Sequence, residues 1–120
     1  MKVEKSGNIT KSEVKVKGAE GVGVRWLISK EDGAENFALR MFELADGGHT
    51  PLHTHPHEHE VFIVEGEGVF VCEGREYPFG PEHVIFVPGG KEHCFRNTGI
   101  RFSGSCALFR RMRVSCGRFG

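Results

Sequence analysis

Short apolar runs separated by turn residues predict an all-β sandwich or barrel. Runs of valine, isoleucine and phenylalanine recur along the 120-residue chain, each bounded by Gly, Pro, Asp or Asn. Seventeen glycines supply turn chemistry between them. Outside residues 31–44 there is no amphipathic helical pattern, so layers of strands must bury one another.

Taken in order, the first 21 residues show only weak alternation, and Val22 to Ser29 is the first clear strand. Glu31 to Leu44 is ambiguous. Ala34, Phe37, Ala38 and Met41 suit a helix, whereas Phe37, Leu39 and Met41 alternate as a strand would. Strands follow at Val61 to Val64, Val69 to Cys72, Val84 to Val87 and Ser103 to Phe109. Glu65-Gly66-Glu67-Gly68 reads as a hairpin turn, and Glu73-Gly74, Pro88-Gly89-Gly90 and Asn97-Thr98-Gly99 are further turns. An inward row of Phe37, Leu39 and Met41, with Phe95, would make the interior apolar. Trp26, the single tryptophan, reads as core or interface.

Composition excludes several classes. Hydrophobic residues at 38% and charged residues at 27% are too apolar and too balanced for a disordered chain, and the length fits one domain. No apolar run approaches the ~18 residues of a membrane span, and Met1-Lys2-Val3-Glu4-Lys5 leads into polar sequence rather than a signal core. A cytoplasmic protein without membrane contact is expected. Sixteen basic residues offset sixteen acidic ones, so no nucleic-acid partner is expected. Residues 93–120 nevertheless hold six arginines and no acid. Arg110, Arg111, Arg113 and Arg118 read as a solvated tail. Cys72, Cys94, Cys106 and Cys116 lack metal-ribbon spacing and read as reduced thiols.

Five of the seven histidines fall in residues 49–59, within Gly48-His49-Thr50-Pro51-Leu52-His53-Thr54-His55-Pro56-His57-Glu58-His59-Glu60. A neutral imidazole offers a lone pair at neutral pH, which makes it the commonest metal ligand. On an extended strand His53 and His55 project to one face. Pro56 then breaks the strand, and a third ligand must come from His59 or Glu60, neighbours that face opposite ways. His49, His57 and His83 read as surface residues or as supports for the ligands, and Glu58 as a residue that orients a ligand ring or is solvated.

The chain resembles the cupin superfamily on two motifs. Gly47, His53, His55 and Gly66 fit G-x5-H-x-H-x(3,4)-E-x6-G, and Pro88, Gly90, His93 and Asn97 fit P-x-G-x2-H-x3-N without a gap. Gly80 stands two residues further from Pro88 than usual, which implies a longer strand around Val84 to Val87. With six residues between it and Gly66, His59 stands where most cupins carry glutamate. His53 to Phe62 is similar to H-x-H-P-x-E-H-E of the small four-histidine cupins. This resemblance implies a double-stranded β-helix, or jelly-roll, barrel over residues 31–109. Residues 1–30 would be N-terminal strands open to exchange in a homodimer, and residues 110–120 a basic tail. It also implies one divalent transition metal per chain on His53, His55, His59 and His93, with two further positions for water or substrate. Glu60 in place of His59 is the alternative. Manganese or iron is favoured, and cobalt, nickel, copper or zinc also suits imidazole.

Four neutral ligands leave the cation's charge uncompensated, which favours an anionic ligand. The resulting expectation is an oxidoreductase, dioxygenase-like, acting on a small organic substrate. An isomerase or lyase would need an extra acid or base in the cavity, and a non-catalytic small-ligand module is the other alternative. Cys106, on the last strand, is a candidate for the cavity wall.

Overall fold

The computed structural model describes residues 1–98 and the backbone of residues 105–113. Its strands are β1 (Ser12–Glu13), β2 (Glu20–Ile28), β3 (Phe37–His49), β4 (His59–Glu65), β5 (Gly68–Cys72), β6 (Arg75–Phe79), β7 (Val84–Val87), β8 (His93–Asn97) and β9 (Ser105–Arg113). They are hydrogen-bonded in the order β6-β5-β8-β3-β9-β4-β7, with β2 on β3 and β1 on β2. All of these pairings are antiparallel. Long β3 bonds to β2, β8 and β9 and so joins the two halves of a jelly roll, the all-β class expected from the sequence.

The ambiguous segment after Ser29 becomes one turn of 3-10 helix, Lys30–Asp32, followed by strand. The Ser29 hydroxyl accepts from Glu31 N–H, and the Asp32 carboxylate accepts from Ser29 N–H at 2.9 Å. Gly33, at φ 88°, ends the turn. The face of β3 that turns inward is the opposite of the one read from the sequence. Ala38, Phe42 and Leu44 are buried, Phe37 is exposed, and Leu39 and Met41 are half-buried. Register decides this, because Val22 pairs with Leu44 and Val24 with Phe42, all buried. The outer row is apolar because Ile9, Leu27, Ile28 and Leu39 line a shared depression against the N-terminal residues.

The core gathers Val22, Val24, Phe42, Leu44, Val61, Ile63, Phe70, Phe79, Val87 and Phe95. Phe70 and Phe95 face each other across β5 and β8, their rings 4.9 Å apart.

Two turns differ from the sequence reading. Glu65 to Gly68 is not a hairpin, since β4 pairs with β7 and β9 while β5 pairs with β6 and β8; these residues carry the chain between the two halves of the roll. The hairpin is Glu73-Gly74, closed by Cys72 opposite Arg75, with both φ values positive (50° and 77°) as a two-residue turn requires. The two extra residues before Pro88 do not lengthen a strand. They form the turn Gly80 to His83, where the Gly80 N–H donates to His83 Nδ1 at 2.9 Å and β7 remains Val84–Val87.

The last strand continues past Phe109 to Arg113, so Arg110, Arg111 and Arg113 lie on β9. Arg118, Cys116 and the side chain of Cys106 lie outside the described residues. Cys72 and Cys94 are free thiols, and burial pushes both thiols up.

Asn97 closes the second motif from within the core. Its amide donates to the carbonyls of Leu44 at 2.8 Å and Ala45 at 3.1 Å, both on β3. Replacing Asn97 by Ala leaves a buried carbonyl without its partner and is expected to cost about 1–3 kcal/mol. Urea unfolding should show this as a lower midpoint at unchanged slope.

Candidate metal centre

Proline and glycine set the positions of the histidines. Pro56 restricts His55 to extended backbone, which keeps His53 and His55 on one side of the segment. His53 and His93 exchange backbone hydrogen bonds, His53 N–H to His93 carbonyl at 3.2 Å and the reverse at 2.9 Å. The Gly90 N–H donates to the His55 carbonyl at 2.7 Å. Gly89 sits against the Pro56 carbonyl, where any Cβ would collide with it. The first and second motifs are thus stitched together through main chain.

The rings converge as a result. His53 lies 5.1 Å from His55 and 5.0 Å from His93 between centroids, and His55 lies 4.9 Å from His93. His59, the first residue of β4, is fully buried, with its ring 4.3 Å from His55 and 6.0 Å from His93. His59 Nε2 stands 2.7 Å from His55 Nε2. Adjacent ligands on one cation with bonds near 2.1 Å stand about 3 Å apart, so the pair needs little movement to share an ion.

Backbone carbonyls orient two of the rings. His55 Nδ1 is 2.8 Å from the His57 carbonyl and His93 Nδ1 is 2.7 Å from the Lys91 carbonyl. A carbonyl only accepts, so each Nδ1 carries the proton and each Nε2 the lone pair. Burial, opposed by that bond and helped by neighbouring imidazoles, lowers His55 to about 4. His55 is therefore a neutral donor at physiological pH. A set of neutral imidazole nitrogens fits a first-row divalent transition metal and not calcium or magnesium, which take oxygen.

Glu60 lies on the outer face of β4, exposed, beside an apolar groove of about 670 Å³ lined with Phe62, Val64, Val84 and Phe86. That groove is larger than the histidine cavity but, among the described residues, holds no cluster of ligating groups. The cavity of about 280 Å³ over His53, His55, His57 and His59 is the chemically competent one.

One of its residues, Arg40, carries no signal in the sequence that marks it as functional. Arg40 lines the cavity, its guanidinium 4.8 Å from the Trp26 ring and 4.9 Å from the Phe42 ring. Burial pushes it down to about 10, still cationic at neutral pH. Only the register of β3 reveals it, because Arg40 belongs to the row of Ala38 and Phe42. Trp26, expected in the core or an interface, is 45% exposed and stands opposite Arg40 on β2. His57, read from the sequence as a surface residue or a support for the ligands, lines the cavity and stacks on His55 at 4.2 Å with the rings 8° from parallel. His49 lies 3.7 Å from Glu20, and His83 serves its own turn.

A jelly roll with converging histidines on its first and second motifs is the arrangement of a cupin, and residues 40–102 match the family of that description, Cupin domain. The chain belongs to the cupin family. It is 35% identical over 103 residues to an oxalate-binding protein of Thermotoga maritima, covering 81% of this chain and 84% of that one. It is 31% identical to the 1-methylthio-D-xylulose 5-phosphate methylsulfurylase of Rhodospirillum rubrum over 62% of this chain and 58% of the relative. Among solved structures, the polyketide cyclase RemF of Streptomyces resistomycificus superposes with a TM-score of 0.86 at 32% identity, over 94% of this chain and 79% of that one.

The alternation along β4 generates a direct test of ligand choice. His59→Ala is expected to lower metal content, measured by elemental analysis of untagged protein, far more than Glu60→Ala; equal losses would reverse the assignment.

Proposed function

We propose that His53, His55, His59 and His93 hold one divalent transition-metal ion, manganese or iron in preference, and that this centre with Arg40 captures a small organic carboxylate for oxidoreductase chemistry. The observation that carries the reading is that Arg40 lines the same cavity as the histidines. Four neutral imidazoles cancel none of the ion's charge, and Arg40 adds another positive charge against low-dielectric walls. An anion is the ligand that such a site selects. The Thermotoga relative's name, an oxalate-binding protein, fits the same chemistry.

When bound, a redox-capable ion with open positions supplies oxygen or peroxide activation. The chain's own residues hold and orient: Arg40 pairs with the carboxylate, Trp26 and Phe42 fix the guanidinium plane, and Val14, Val16 and Val22 give the cavity an apolar wall. An isomerase or lyase fits less well. Apart from Arg40 and the imidazoles, the described lining holds no carboxylate, phenol or amine to move a proton.

The homodimer expected from the resemblance is supported by the exposed Phe62, Val64, Val84 and Phe86 beside β7, a strand at the end of the hydrogen-bonded order. The free thiols of Cys72 and Cys94 fit a reducing cytoplasm.

Calorimetric titration of the manganese-loaded protein with oxalate tests the anion reading. Arg40→Ala should weaken binding by roughly 10- to 100-fold, the equivalent of about 1.5–3 kcal/mol for a charged hydrogen bond, with metal content unchanged. Arg40→Lys should recover only part, because it lacks the planar fork. Metal-dependent binding without oxygen uptake across a panel of small carboxylates would favour the binding module over the oxidoreductase. For the dimer, light scattering should give twice the 13.3 kDa chain mass, and Phe86→Glu should return it to the monomer value.

A further inference from the structure

His57 has no place in the four-ligand set, yet its ring is as close to that set as the members are to one another. It stacks on His55 at 4.2 Å and meets His59 edge-on at 5.1 Å. The ligating nitrogens of His55, His57 and His59 all lie within 4.8 Å of one another, as do those of His53, His55 and His93. The protein thus carries two overlapping imidazole triads that share His55.

From this geometry we infer a second cation position, formed by His55, His57 and His59 once the His57 ring turns out of its parallel stack on His55, that receives a divalent transition metal from solvent and passes it to the inner position on His53, His55, His59 and His93. The inference rests on the metal reading above and adds a residue and a step to it. His57, like His53, is half-buried and lines the cavity, whereas His93 is buried beneath. An ion entering through the cavity therefore reaches His57 before the buried His93 that completes the inner set. Moving inward, it exchanges His57 for His53 and His93 while His55 and His59 stay bound, so it never sheds all its protein ligands at once. Two divalent ions sharing these imidazoles would repel each other strongly with no anionic ligand between them, so the positions are occupied in turn and the stoichiometry stays at one.

The residues sort cleanly for a test. His53 and His93 serve only the inner position, His57 only the outer one. Untagged protein is titrated with Co(II), followed by its visible absorption and by elemental analysis, with folding checked by circular dichroism. His53→Ala/His93→Ala is expected to bind one Co(II) at least about tenfold more weakly than the unaltered chain, with a changed spectrum. Adding His57→Ala to that pair should abolish binding. His57→Ala alone should still bind one Co(II) but load it several-fold more slowly in stopped flow. A folded His53→Ala/His93→Ala protein that binds no Co(II), or a triple variant that binds as well as the double, overturns the outer position while leaving the inner one standing. If the double variant does not fold, the loading rate of His57→Ala decides: a rate equal to that of the unaltered chain overturns the inference. An unaltered chain that binds no Co(II) overturns both the metal reading and this one.

Discussion

The short main-chain ladder between the two histidine motifs is the constraint on which the site depends. His53 and His93 are forty residues apart in sequence and exchange both backbone hydrogen bonds. That exchange brings together a loop leaving β3 and the first residue of β8, and the side chains follow the backbone. Glycine is required twice at this seam, once because Gly89 has no room for a Cβ against the Pro56 carbonyl and once because Gly90 adopts φ 81°. With the seam closed, the ring positions are set by short, stiff levers rather than by long side chains. Little rotamer entropy then remains to be lost when an ion binds.

Around the seam, the barrel supplies electrostatics as much as shape. Phe70 and Phe95 pack below His93, with ring centroids 6.3 and 6.4 Å away, and form an apolar floor. At His55 burial likewise disfavours imidazolium and so preserves the lone pair. It also disfavours an unpaired cation. A metal centre of the proposed kind would therefore repel protons and, once an ion is bound, call for an anion to accompany it. Arg40 would strengthen that call, held in the wall by the faces of Trp26 and Phe42 rather than extended into water.

Much of this was legible in the residues, and the parts that were not share a cause. Strand existence, the histidine cluster and the P-x-G-x2-H-x3-N spacing are local patterns, and Val84 to Val87 emerges with the bounds read from the sequence. Facing is not local. On β3 the more apolar row, Phe37, Leu39 and Met41, points outward because pairing with β2 and cover from the N-terminal segment set the register. Arg40 was hidden by the same inversion. Glu65 to Gly68 has hairpin chemistry, but which strand a turn leads to is decided by long-range pairing. The sequence reads His57 as a surface residue or a support for the ligands, and only the folded loop shows it stacked on His55.

One alternation on β4 separates two kinds of chemistry. Successive strand residues face opposite sides, so His59 enters the cavity and Glu60 meets the outer groove. A carboxylate at position 59 would neutralise half the charge of a divalent ion and place an acceptor beside the substrate. An imidazole there does neither, and leaves the ion's full charge to whatever occupies its open positions. In the proposed metal centre the side chain at this one inward position would set how strongly an anion is preferred, and Arg40, which lines the same small cavity, would reinforce that preference.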